Sequence, residues 1–268
     1  LTSIIEQVKQ LAEGVENLTG PGIGFEQLMA DLSSITGIVG DELRDLGKVA
    51  RQTGKESGLG AQQAANAFAL LASQIQVDKI GMEGLKALQQ NTITLSHAAG
   101  MSMNDAATAL AGTINQFGLQ ATEANRVINI LAAGSKYGAA EIVDLSQSFK
   151  VVGAAANAAG LTVEDTAGAI EVLSKNNLKG AEAGTALRNI MLKMQTVLGV
   201  DFRKNSFSDA LDALKPRLTD AAYLSKVFGM ENIAAAQFLI KNSDAVAEMT
   251  AQVTATNVAQ EQAAIRTD

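Results

Sequence analysis

His97 is the only histidine of the 268 residues, so any ordinary triad or imidazole acid–base site has to be built on it. It lies between Ser96 and the Gly100 turn, a setting that reads as a helix-end or partly buried side chain. Two carboxylate pairs, Asp41/Glu42 and Glu164/Asp165, have the composition of an acid–base couple. Both fall where helices should begin, and acids there complement the positive end of the helix dipole. Gly180 to Gly184 has the look of a phosphate loop, but no Gly-Lys-Ser/Thr follows and no strand precedes it. Arg188, one turn after Thr185, reads as an exposed or ion-paired helix residue. Without cysteine there are no disulfides and no thiolate metal sites, and a lone histidine excludes His-paired ones. The expectation is a non-enzyme with no catalytic, cofactor-binding or metal-binding residues.

The elements that carry these residues are helical by periodicity. Residues 1–18 place Ile4, Ile5, Val8, Leu11, Val15 and Leu18 on one stripe, and Thr19 to Gly24 breaks it. Phe25, Leu28, Leu32 and Ile35 mark a second helix, and Asp41 to about Thr53 a third. Further stripes run through Ala64, Phe68 and Leu71; Ile80, Leu85, Leu88 and Leu95; and Ala106, Leu110, Ile114 and Phe117. Thr122 is the expected cap of a helix through Val127, Ile128 and Leu131. Ile142, Leu145, Phe149 and Val152 come next, and Leu187, Ile190, Met191, Met194 and Leu198 form the strongest stripe. Ser208 is the expected cap of a short helix that must stop before Pro216. Leu224 to Phe228 and Ile233 to Leu239 complete the core, and the Ala/Gln-rich tail after Ser243 is expected to be a helix that frays. The resulting division is 1–24 as an N-terminal helical arm with a Gly/Pro linker, 25–242 as the helical core region, and 243–268 as the C-terminal tail.

Apolar residues make up 47% of the chain while aromatics make up 4% with no Trp, so the core must be Ala, Leu, Ile, Val and Met. Small side chains let helix axes approach, and strands favour the residues that are scarce here. Met101, Met103, Met191 and Met194 sit at or near apolar helix positions and are expected to fill gaps there. Two prolines against 24 glycines permit helices and then stop them. A net charge of −7 argues against a nucleic-acid groove. The most apolar stretch, Val151 to Val163, is short and contains Asn157, so no membrane span is expected in this segment. The start, Leu1-Thr2-Ser3, lacks a basic leader region and an initiator Met, as a fragment or a processed chain would.

Ala98-Ala99-Gly100-Met101-Ser102 returns as Ala158-Ala159-Gly160-Leu161-Thr162, sixty residues later. The register holds onward: Asp105 matches Asp165, Leu110 matches Ile170, Ile130 matches Ile190 and Leu131 matches Met191. In each copy Gly ends a helix, the apolar residue staples the turn and Ser or Thr caps the next helix. A fainter copy surrounds Gly58-Leu59 and Ala64 to Phe68. The fold class expected is all-α: an irregular bundle or array of short Gly-punctuated helices with a weak internal repeat of about 60 residues. The glycines interrupt heptads, which excludes one long coiled coil.

The run Gly180-Ala181-Glu182-Ala183-Gly184-Thr185-Ala186-Leu187-Arg188 resembles a hallmark of the core region of bacteriophage tail tape measure proteins. In that family it follows a Gly-Leu-Ser/Thr helix start with an acid three residues on, matched here by Gly160, Leu161, Thr162 and Asp165. Asn115-Gln116-Phe117-Gly118-Leu119, Leu131-Ala132-Ala133 and Val227-Phe228-Gly229 fit the same pattern, so the resemblance covers roughly residues 25–240. One departure is Ile75-Gln76-Val77-Asp78-Lys79, where the family places a Gly-rich turn. The resemblance implies a segment of a longer phage or prophage minor tail protein that templates tail-tube assembly, sets tail length and takes part in DNA ejection. The implied partners are the tail-tube protein, tail-assembly chaperones and further copies of itself. The implied locations are the tail lumen of the virion and, during assembly, the host cytoplasm. The other reading the residues allow is a helical interaction module, an α-solenoid adaptor or effector that holds a protein partner.

Overall fold

The computed structural model describes residues 24–58, 60–75, 77–254 and 257–267, and every regular element among them is helical. The predicted stripe over 1–18 and most of its linker lie outside these residues. The chain divides into two compact units, Leu1–Ile93 and Thr94–Asp268.

In the first unit, α1 (24–36) buries Phe25, Met29 and Leu32. Ile35, expected on the same stripe, is 49% exposed in the last turn of the helix, which ends one residue later. α2 (Gly40–Glu56) packs on α3 (Ala61–Gln74) through Leu46 and Ala50 on one side and Ala64, Phe68 and Leu71 on the other. Arg51 lies 4.4 Å from the centre of the Phe25 ring and pairs with Glu26. α4 (Val77–Ala99) is bent at Gly81, whose φ of 63° and ψ of −174° are not helical. Beyond the bend, Gln89 donates to the Ala64 carbonyl at 3.2 Å and ties α4 to α3.

The second unit starts with the last turns of α4 and contains α5 (Met103–Gln116), α6 (Ala124–Tyr137), α7 (Ile142–Ala159), α8 (Val163–Lys175) and α9 (Gly180–Thr196). Five shorter helices follow: α10 (Phe207–Asp212), α11 (Ala221–Phe228), α12 (Ile233–Lys241), α13 (Ser243–Val253) and α14 (Val258–Thr267). α6, α7 and α8 each touch the other two and form the centre. α9 covers α7, α13 covers α8, and α14 covers α6. Leu187, Ile190, Met191 and Met194 are fully buried, as their stripe predicts. The segment after Ser243 is anchored: Val246, Met249, Val253, Val258 and Ala259 are buried.

Four turns in this unit share one hydrogen-bond pattern. The amides of Met101, Leu119, Leu161 and Leu178 reach back to the carbonyls of Ser96, Ile114, Ala156 and Leu173, five residues earlier. The residue before each of them has positive φ: Gly100 66°, Gly118 61°, Gly160 92° and Asn177 60°. This is the Schellman stop, in which a left-handed residue satisfies the orphan carbonyls of a helix end. After the first and third turns, Ser102 and Thr162 accept the Asp105 and Asp165 amides at 3.1 and 3.0 Å, the capping expected from their spacing. Two other expected caps are displaced. Ser206, rather than Ser208, caps α10 by accepting the Asp209 amide at 3.1 Å, which lets Phe207 enter the core. Thr122 lies inside a 3-10 turn, Ala121–Glu123, because the Glu123 carboxylate accepts the Gln120 amide and starts the winding two residues early.

Gly160→Ala is expected to lower stability by about 1–2 kcal/mol, the cost of a left-handed alanine, with further loss because the new Cβ would stand 2.5 Å from Arg203 Cγ. Gly112→Ala, inside α5 with nothing within 4 Å of the added methyl, is expected to raise it by roughly 0.5–1 kcal/mol. Urea midpoints of the two variants check both signs.

Candidate functional site

The residues singled out in the sequence gather along one helix contact. Gly180 opens α9, and its carbonyl accepts the buried Ser148 hydroxyl of α7 at 2.6 Å. At Gly184 the two backbones meet: a methyl there would stand 2.6 Å from the Ser148 carbonyl oxygen and 2.9 Å from its Cα. Ala183 and Leu187 fill the contact on either side, both fully buried. Further along, Gln195 donates to the Ala159 carbonyl at 3.4 Å. Residue 184 meets 148 and 195 meets 159, and both pairs lie 36 apart, so α7 and α9 run parallel. Gly160, Leu161, Thr162 and Asp165 sit at the far end of this contact, where Arg203 donates to the Ala158 carbonyl at 2.9 Å. Thr185 and Arg188 do not take part. Thr185 is exposed with its hydroxyl turned back to the Ala181 carbonyl, and Arg188 is half-buried with no ion pair among the described residues.

The candidate chemical groups are dispersed or already engaged. His97 is half-buried in the last turn of α4, and the neighbouring Ser96 hydroxyl donates to the Met101 carbonyl at 2.6 Å. Asp41 and Glu42 occupy the first turn of α2. Asp165 belongs to the Thr162 cap. Glu164, on the same helix turn, is claimed by a residue the sequence reading passed over. Arg126 of α6 grips it with Nε to Oε1 and Nη2 to Oε2, both at 2.7 Å, and also donates to Glu123 at 2.6 Å. The two-pronged contact with Glu164 pushes the Arg126 pKa up from its ordinary value. The ion pair borders a hollow of about 280 Å³ lined also by Asn125, Asn129, Ile130 and Val253.

Glu171 is the second group missed. It is fully buried on α8, and its Oε2 accepts the amides of Ala139 and Ala140 at 2.7 and 2.8 Å. Burial pushes its pKa up to about 7, against the pull of those two amides and of Lys179. Its only sequence signal is its place among Ile170, Val172 and Leu173 on an otherwise apolar helix. Among the described residues no three His, Cys, Asp or Glu side chains are grouped to hold a metal ion. No described helix is long and apolar enough to cross a membrane.

What these residues build is a packed seam. The family model of the phage-related minor tail proteins matches residues 47–265. The chain belongs to that family. The tape measure protein of Pneumococcus phage Dp-1 is 29% identical over 192 residues, covering 68% of this chain and 16% of the relative. The probable tape measure protein of Escherichia phage P2 is 26% identical over 205 residues, covering 75% of this chain and 24% of the relative. The chain thus spans a quarter or less of the length of these curated relatives. No solved structure matches. Membership in this family of minor tail proteins gives the segment a structural role in a phage tail.

Gly184→Ala is expected to lower stability by about 1–3 kcal/mol, because the methyl drives α9 off the α7 backbone. Arg126→Met is expected to cost on the order of 1–3 kcal/mol by leaving Glu164 buried without its cation, and adding Glu164→Met should restore most of the loss. A double-mutant cycle in urea measures the recovery; two additive losses would show that the ion pair contributes nothing.

Proposed function

We propose that these residues form a folded helical segment of a tail tape measure protein, one that helps template tail-tube assembly and sets tail length. The observation that carries this reading is the likeness to two tape measure proteins through most of the chain. The structure adds a physical reason. Gly160, Gly180 and Gly184 are spent on helix stops and close helix contacts, which suits a segment whose role is structural. The partners in this reading are the tail-tube protein, assembly chaperones and further copies of the chain. Its place is the tail lumen, after assembly in the host cytoplasm, with departure at DNA ejection.

A ruler has to be long, and the described helices are short. The longest unbroken described helix, α7, has 18 residues and therefore spans ~27 Å. The whole chain as one helix would reach ~400 Å at about 1.5 Å per residue. In this reading the segment adds length to the tail only by opening its seams and extending inside the tube.

The test is an in-frame deletion of residues 25–242 from the full-length protein, with tail length read by electron microscopy. Tails shortened by up to ~330 Å are expected, the reach of the deleted residues as helix. Tails of unchanged length overturn the length-setting role. Absence of tails while the tube protein stays soluble supports templating.

A further inference from the structure

The Glu171 carboxyl holds together two parts of the chain that are remote in sequence. Its Oε2 is the shared acceptor for the Ala139 and Ala140 amides, in the corner that links α6 to α7. Those amides stand at the approach to α7, where the helix dipole favours an acceptor with negative charge. The other oxygen, Oε1, is buried and has no hydrogen-bond partner among the described residues. Two glycines make room for the group. A methyl on Gly138 would overlap Oε2, and one on Gly134 would lie 2.9 Å from Oε1. The site therefore has a shape cut for a carboxyl group but only half the donors that a carboxylate needs. A neutral carboxyl leaves one hydroxyl without a described partner there, whereas the anion places charge on a buried oxygen, the larger penalty.

We propose that Glu171 is a proton-operated latch on the α6–α7 corner: protonated, it keeps the corner seated on α8, and loss of its proton to water lets the corner lift away.

Beyond the two amides, the surroundings set one cation against one further acid. From α7, Asp144 faces the carboxyl and disfavours ionisation. From the turn before α9, Lys179 favours it. α6 presents the two glycines' side, and its terminal Lys136 and Tyr137 are engaged with each other and with Glu261 of α14. α13 turns Val246, Met249, Thr250 and Val253 toward α8, and α12 turns Ala236, Leu239 and Ile240, all uncharged. The folded group releases its proton near pH 7, against an ordinary value of 4.5 once the corner is open. Below pH 4.5 both states hold the proton and the latch contributes fully; its contribution falls as pH rises to about 7 and is flat beyond. This inference rests on the corner's geometry and is independent of the tail role.

The test is amide hydrogen exchange of Ala139 and Ala140 in the 268-residue chain between pH 5 and 8, corrected for intrinsic exchange rates. The opening constant of the corner is expected to rise roughly 70-fold over that range. Glu171→Gln, which keeps the shape without the titration, is expected to show a flat profile. Gly138→Ala, whose methyl displaces the carboxyl, is expected to exchange fast at every pH. A pH-independent opening constant in the unaltered chain overturns the latch, as does an unchanged pH profile in Glu171→Gln. Should Glu171→Gln not fold, the carboxyl carbon resonance of Glu171 in the unaltered chain decides. A midpoint that tracks the exchange profile supports the latch; one in the ordinary carboxylate range overturns it.

Discussion

Among the described residues, one helix backbone meets another at two glycines of the second unit, and the arrangement of its helices depends on both. At Gly184 the α9 main chain lies against Ser148 of α7, and at Gly168 the α8 main chain lies against Thr250 of α13, whose amide nitrogen would stand 2.8 Å from an added methyl. With aromatics at 4% of the chain, bulky rings are too few to fill wide gaps between helices. The alternative is to remove the gap, so that many small dispersion contacts replace a few large ones. Phe117 and Phe149 are an exception of this kind, edge to face at 5.3 Å where α5 meets α7.

Tight contacts of this sort leave no room for solvent around a charge, and this gives α8 its character. Among the described residues, both buried acids of the unit, Glu164 and Glu171, belong to this central helix. They are satisfied in different ways. Glu164 has an arginine whose planar fork matches both of its oxygens, while Glu171 has two amides on one oxygen and none on the other. One is an anion anchored by a cation; the other is held closer to neutrality by its surroundings.

Local signals were legible in the sequence and long-range ones were not. The stops at Gly100 and Gly160 and the caps at Ser102 and Thr162 depend on residues within one turn, so their spacing announces them. The stops at Gly118 and Asn177 follow the same local hydrogen-bond rule. By contrast, Gly184 and Gly160 look alike in a sequence, yet one is a close approach and the other a left-handed turn. The difference lies in Ser148, 36 positions before Gly184. Arg126 and Glu171 were passed over for the same reason, since their partners lie 38 and about 32 residues away. Spacing alone points to Ser208 as the α10 cap, because the factor that places the cap at Ser206, burial of Phe207, is tertiary.

One contact reaches further than any of these. The buried Asn129 side chain of α6 accepts the Ala259 amide at 2.9 Å, 130 residues away, and so caps α14 from outside that helix. Asn125, one turn earlier, receives Gln260 at 2.6 Å. During synthesis α6 therefore leaves the ribosome with its asparagines facing a partner that has yet to be made. At ~5–20 residues per second the wait is on the order of ten seconds. Throughout that interval the flank of α6 that α14 covers stays open, and arrival of α14 closes it.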